Sequence, residues 1–438
     1  MSKHAIKPQN LPEALVWYYI IFTYVIYYLG AQFVLAPLLG LVLMCYLFFR
    51  LFRQDEQTPP EERITVPFVS WLWLVAILVI ELALIMGHLH FDLGADQIIK
   101  SSMNRWFKMW FLFPMFILAG ALPIRPQLIY RATSIVCFQS LFFIIAGAAG
   151  IMAGIPDADL EYTSPLKVFG GGDFYTVKIL GYTLSFTEEG RMQLFTPWAP
   201  ALALVGNIYF WFAWNETDKK WRWLGLMGAT AMVISSVSRA GIVYLPLVPA
   251  LIWLWVNISR PWVQVLVGVV SFFVGIFGST IFSLLEIFKN TVDSYRSGSS
   301  RVRETLQRMA LEKWQQSPIW GHGTISGKGP AITGKIPVGT HHTWNSLLYT
   351  QGIVGCSAMA LVVIWTALEL LIKAHHFEIA RVGLSIILIL IFFSFSENLD
   401  SMTYVFWPGL LMLGIVFRES SLPILKKNEK YSQTVRNY

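Results

Sequence analysis

LPEALVWYYIIFTYVIYYLGAQFVLAPLLGLVLMCYLFFR, residues 11–50, decides the fold. Two apolar runs meet here with only Gly30, Ala31 and Gln32 between them. Each is close to the length that crosses a hydrocarbon core of roughly 30 Å as a helix. Within lipid a backbone must satisfy its own polar groups, so the pair reads as a helical hairpin. A cleaved leader would end in a polar, small-residue site. Here the first run passes directly into the second, and the first helix reads as an uncleaved start signal.

Comparable runs recur along all 438 residues. They predict an all-α, polytopic integral membrane protein with about twelve transmembrane helices. The spans fall at about 12–29, 33–50, 67–87, 106–122, 130–152, 196–214, 223–238, 242–257, 263–285, 345–372, 382–396 and 403–417. Six segments follow. Helices 1–5 occupy 1–153, a first loop 154–195, and helices 6–9 span 196–285. A large loop takes 286–344, helices 10–12 span 345–417, and a basic tail predicted to lack regular structure covers 418–438.

Hydrophobic residues make up 55% of the chain and charged residues 13%. Soluble domains carry roughly twice that charge fraction. The net charge of +7 does not mark a nucleic-acid partner, because the basic residues collect in connectors. Arg50, Arg53, Arg63, Arg125, Arg131, Lys219, Lys220, Arg222, Arg260, Lys373, Arg381 and the tail alternate with the two long loops. The positive-inside rule then puts both termini in the cytoplasm and both long loops in the periplasm. Cys45, Cys137 and Cys356 all fall inside apolar runs, which leaves no disulfide framework and no zinc knuckle.

Within the second loop, SGSSRVRETLQRMALEKWQQSP (297–318) reads as an amphipathic helix, capped by Ser299 or Ser300 and ended at Pro318. Val302, Leu306, Met309, Ala310 and Trp314 form its apolar face. Arg301, Arg303 and Arg308 lie off that face. Guanidinium forks bind phosphate oxygens in pairs, so Arg301 and Arg303, near the helix start, are candidate anion ligands. Arg308 reads as solvated.

Arg191 precedes the sixth span, and Arg239 sits in SVSRAGIVYL between two spans joined by almost no loop. A charge held that close to lipid needs an anionic partner or a wet cavity. GTHHTWNSLLYTQGIVG (339–355) places His341 and His342 where the tenth span begins. An imidazole there is a natural general base near neutral pH. Zinc on these histidines with His322 lacks a completing carboxylate or thiolate, so no metal is expected. DAD (157–159) is too short to argue a metal, and GGG (170–172) lies in a polar loop, away from any strand–helix junction.

Together these features resemble the bacterial O-antigen ligases and their relatives, the O-antigen polymerases and O-linked oligosaccharyltransferases. That family's periplasmic loop carries an Arg, an Ala-Leu helix, Pro-x-x-Gly-x-Gly, then a His entering a Gly-x-x-Gly helix. Arg303, Ala310-Leu311, PIWGHG (318–323), the His pair and GIVG (352–355) follow that order. Ser238-Arg239 and Arg191 resemble two earlier positions of the family. The chain departs from it with His341-His342 in place of His-Asn, lacks the Trp usual in the Ala-Leu helix, and replaces the Gly and Asn around Arg191.

The resemblance implies an inner-membrane glycosyltransferase with a periplasmic active site and no cofactor. Its donor would be a glycan on undecaprenyl diphosphate and its acceptor a lipid A-core sugar hydroxyl, both met among membrane lipid. It also implies Arg191, Arg239, Arg301 and Arg303 as diphosphate ligands and His341 or His342 as base. Two rivals stand beside it. A polymerase joining lipid-linked repeats needs the same residues. A twelve-helix transporter or lipid flippase would instead place charges deep in its spans, where Glu81 is the main candidate.

Overall fold

A computed structural model of the chain describes residues 6–59, 62–184, 190–294, 297–325, 336–339 and 341–436. The opening hairpin is present. Its first arm is divided into α1 (Leu11–Ile21) and α2 (Thr23–Tyr28), and its second is α3 (Gln32–Phe52). Asn10 starts α1 by accepting the backbone N–H of Glu13 at 2.9 Å, which satisfies one orphan donor of the first turn.

Then come α4 (Phe68–His90), α5 (Ala95–Ser101), a π-helical stretch over Ser102–Trp110, α6 (Leu112–Ala119) and α7 (Pro126–Met152). Beyond the first long loop lie α8 (Ala199–Trp214), α9 (Lys219–Ser235), α10 (Arg239–Asn257) and α11 (Pro261–Ser294). The last four are α12 (Ser297–Trp314), α13 (Thr343–Lys373), α14 (Glu378–Ser394) and α15 (Thr403–Arg436). The protein is thus mostly helical. Among the described residues, seven helical stretches are long and apolar enough to cross a membrane: Gln32–Phe52, Phe68–His90, Pro126–Met152, Arg239–Asn257, Pro261–Thr280, Thr343–Lys373 and Asp400–Ser420.

α15 runs through the middle of the bundle, with Phe406, Leu410 and Phe417 fully enclosed by α3, α6, α8 and α14. Lipid tails are as apolar as leucine, so close packing, more than apolar transfer, holds such helices together. At the α7–α9 crossing, Gly228 lies directly on the Cys137 backbone, where any side chain would collide. α11, by contrast, is almost wholly exposed along its apolar length, as a helix facing lipid would be.

The first long loop adds four short strands to the expected all-helical class. β1 (Glu161–Thr163) pairs antiparallel with β2 (Thr176–Lys178), and β3 (Tyr182–Leu184) with β4 (Gly190–Met192). Asp157 ties the two pairs together, accepting from Lys178 Nζ at 2.5 Å and Thr183 Oγ1 at 3.1 Å. The first carboxylate of DAD is therefore spent on scaffold.

Polar side chains gather at the two ends of the bundle. At one end, Arg125 grips Glu13 through Nε–Oε1 at 2.7 Å and Nη2–Oε2 at 2.8 Å. Arg131 holds Glu216 at 2.9 Å, and Arg418 donates to the Gly120 and Ile124 carbonyls. The opposite end carries the long loops. The basic tail differs from expectation: α15 continues through it to Arg436. Residues 424–436 hold no Gly or Pro to break a helix, and their three Lys with Leu425, Glu429, Gln433 and Arg436 are good helix formers.

Candidate active site

The histidine pair immediately precedes α13, and its two members have different tasks. His342 is the N-cap: its Nδ1 accepts the N–H of Asn345 at 3.2 Å, and its own N–H donates to Asn398 Oδ1 at 2.9 Å. His341, one residue earlier, has φ +67°. Non-glycine residues enter that region only where surroundings hold them there. Asn398 supplies part of the hold, because its amide also donates to the Gly339 carbonyl at 3.2 Å.

Ten residues beyond His342, α13 breaks. Gly352 has φ +62° and ψ −164°, a conformation closed to other residues in a helix. The PIWGHG turn fills the break. Ile353 N–H donates to the Pro318 carbonyl at 2.9 Å, while His322 and Gly323 N–H donate to the Tyr349 and Thr350 carbonyls at 2.9 and 2.8 Å. A Cβ on Gly352 would strike the Ile319 carbonyl, and one on Gly321 would strike the α13 backbone. The two glycine-bearing segments are complementary halves of one joint.

That joint presses α12 against the bundle. Leu306 and Ala310 are buried against Val338 and Tyr349, with Val302 and Met309 packed around them. The apolar face therefore rests on α13. Arg303, one turn before Leu306 and two before Ala310, reaches from the same helix to the α14–α15 connector. Its Nη2 donates to Glu397 Oε1 at 3.0 Å and its Nη1 to the Ser396 carbonyl at 3.3 Å. Glu397 is 2% exposed. Its Oε2 accepts Trp198 Nε1 at 3.1 Å, and its carbonyl accepts Thr343 Oγ1 at 2.6 Å. Burial raises the Glu397 carboxyl above the ordinary carboxylate range, against the pull of Arg303, Trp198 and Arg191.

These elements enclose a cavity of about 700 Å³, lined by His341, Glu397, Asn398, Trp198, Arg105 and Asp400 among others. Burial, and then the charge of Arg303, push the His341 imidazole down to about 4. It is neutral at physiological pH and lines the cavity. On another wall, Arg105 donates from Nη2 to Ser346 Oγ at 3.0 Å, with its Nε 3.8 Å from Asp400 Oδ2. No group of three or more metal-ligating side chains occurs among the described residues.

The candidate residues read from sequence are thus placed as follows. His341 lines the cavity; His342 does not, and its Nδ1 is engaged in capping. Arg303 reaches the cavity wall through Glu397. Arg191 donates to the Val237 carbonyl at 3.4 Å and acts electrostatically on Glu397. Arg239 begins α10 two residues beyond Val237, exposed and outside the cavity lining. Arg301 lies on α12, but its side chain falls outside the described residues. Arg308 is solvated, 3.7 Å from Glu312.

Sequence reading missed Glu397, Asp400 and Arg105. The signal for the first two was SENLD (396–400), two carboxylates in a short polar break between apolar runs on the arginine side. Arg105 sits just where a span was expected to enter the membrane.

Residues 223–360 match a protein-family model described as O-antigen ligase, which is consistent with the O-antigen ligase superfamily. That interval contains Arg239, Arg301, Arg303, the PIWGHG turn, both histidines, Gly352 and Gly355. No curated protein matches the chain.

Proposed function

From the O-antigen ligase match over residues 223–360 as premise, we propose that the chain is an O-antigen ligase. Members of that family are membrane glycosyltransferase-like enzymes, ligases or polymerases, acting on lipid-linked glycans. With seven membrane-length helices, this points to a multi-pass inner-membrane protein. The finer topology belongs to the proposal: twelve crossings in the six segments given above, both termini cytoplasmic and the cavity periplasmic.

The reaction proposed is transfer of a glycan from undecaprenyl diphosphate to a sugar hydroxyl of lipid A-core. The acceptor oxygen attacks the anomeric carbon, its proton passes to the His341 imidazole, and the bond from that carbon to the diphosphate oxygen breaks. Direct attack inverts the anomeric centre. Arg191, Arg239, Arg303 and Arg301 neutralise the charge that grows on the departing diphosphate. Cleavage of the sugar–diphosphate bond supplies the driving force without ATP or a metal.

The observation that supports this reading is that His341 and Glu397 line one cavity, with Arg303 bonded to Glu397. A neutral base then faces the space, with a guanidinium fork paired to a carboxylate of its lining. His341 is favoured over His342 because the latter's Nδ1 already caps α13. Glycans from a strain lacking the gene test the ligase role. Bare lipid A-core with accumulated lipid-linked polymer supports it, whereas core bearing a single repeat assigns the chain to polymerisation.

A further inference from the structure

A second cavity, of about 340 Å³, adjoins the first and shares Asp173, Phe174 and Pro197 with it. The chemistry proposed above makes no use of it. Its walls are the α2–α3 hairpin turn, the β1–β2 pair of the first long loop, and residues 193–197 leading to α8.

The walls are fixed. The Tyr27 hydroxyl accepts Lys178 N–H at 2.9 Å and donates to the Lys178 carbonyl at 3.1 Å. Lys178 Nζ is held by Asp157 at 2.5 Å and lies 3.9 Å from Glu161. Its charge is thereby neutralised, which removes the attraction for a phosphate or a lipid headgroup. What remains facing the space is polar, with the Glu161 and Asp173 carboxylates beside neutral amides and hydroxyls. Gln32 and Gln193 are 8% and 5% exposed and line it together with Thr176 and Thr196. The Gln32 backbone carbonyl accepts from the Tyr19 hydroxyl at 3.5 Å, and its side-chain amide, with two donors and an acceptor, lines the space.

Phe174 lines both cavities, stacked on Phe33 with ring centroids 4.6 Å apart and edge-on to Tyr404 at 5.9 Å. A ring held at the junction of the two cavities suits the C–H face of a sugar, while the amides, hydroxyls and carboxylates lining the smaller one suit its hydroxyls.

We propose that this smaller cavity is a saccharide subsite, holding sugar residues remote from the reacting carbon while the reacting sugar occupies the larger one. The inference rests on the glycosyl-transfer reading above. It assigns the first long loop and its strands a direct part in recognition. The saccharide has two possible sources, the donor's glycan or the acceptor's core, and both present the same hydroxyl chemistry.

The test uses full-length protein in detergent and two probes. These are core oligosaccharide, released by mild acid from lipopolysaccharide without attached glycan, and repeat-unit oligosaccharide, released by mild acid from the lipid-diphosphate-linked donor. Saturation-transfer NMR measures binding without turnover. One probe should contact the wild type, and its affinity should fall about tenfold in Gln32→Leu, the loss of one or two hydrogen bonds. Thr176→Trp, which fills the space from β2, should do the same and keeps the test open if the first variant fails to fold. In transfer assays the KM penalty should grow with the length of that saccharide while kcat holds. The probe that responds identifies the source. Binding of neither probe to the wild type, or wild-type affinity in both variants, overturns the subsite. Binding without any transfer by the wild type would instead overturn the catalytic reading and leave the subsite standing.

Discussion

Arg303 Nη2 lies 3.0 Å from Glu397 Oε1, joining the loop helix α12 to the connector between α14 and α15. The carboxylate is buried and the guanidinium about one-third exposed. Removing one partner of such a pair strands the other, so the pair fixes where the loop helix sits. It also holds the fork beside His341 before any substrate arrives.

Glu397→Gln keeps a hydrogen-bonding side chain but removes the charge that aims Arg303. Turnover should fall by at least about tenfold, as expected for weakening a charge-assisted hydrogen bond at the site. The measurement is steady-state transfer by purified variant and wild type, with thermal melts to confirm folding. Wild-type turnover from a folded variant would reduce Glu397 to scaffold.

The two histidines should separate cleanly. His341→Gln removes the base and should lower kcat by about two to four orders of magnitude, the range for general-base loss. His342→Asn keeps an N-cap acceptor for the Asn345 N–H and should retain most activity, at a stability cost of under about 1 kcal/mol. Equal loss in both, or the reverse order, would contradict the assignment of His341.

The pH profile follows from the direction of the His341 shift. A base works only when neutral, and burial with Arg303 holds this imidazole down at about 4, below its ordinary 6.5. The acid limb of kcat/KM, which reports the free enzyme, should therefore lie well below pH 6.5. Bound diphosphate offsets Arg303, so the limb of kcat should lie higher. The same shift acts on stability. Between about 6.5 and 4 the unfolded chain binds more protons at this position, so acidification through that window destabilises the fold. His341→Gln should flatten that part of the melting profile; an unchanged slope would show that His341 does not carry it.

Gly352→Ala tests the joint. The alanine must adopt φ +62° and press its Cβ on the Ile319 carbonyl. Backbone strain alone costs about 1–3 kcal/mol, and the PIWGHG turn must shift as well. Because that turn positions α12, activity should fall more steeply than stability. A variant with normal melting and normal turnover would show that the turn does not transmit to Arg303.

Much of this arrangement could be read from residues alone. The helical hairpin follows from two apolar runs and three intervening residues, and the α12 face from the spacing of Val302, Leu306, Met309 and Ala310. Arg303 and the histidines stood out because charge is rare beside lipid. Glu397 did not, since a carboxylate in a six-residue break between spans looks like any polar turn until Arg303 is seen to reach it from some ninety residues away. Nor does composition separate His341 from His342; that depends on a left-handed backbone and a capping bond, which only the folded chain displays. The first loop read as polar and irregular because its strands are three residues each, too short for any alternation to register.

The most direct test of glycosyl transfer is reconstitution of the reaction. Purified protein in detergent receives lipid-diphosphate-linked glycan and lipid A-core, with chelator in excess throughout. The account predicts a joined glycan–core product and free undecaprenyl diphosphate, with the product abolished in His341→Gln. No product from folded wild type, or product that vanishes with chelator and returns with one metal, would contradict it.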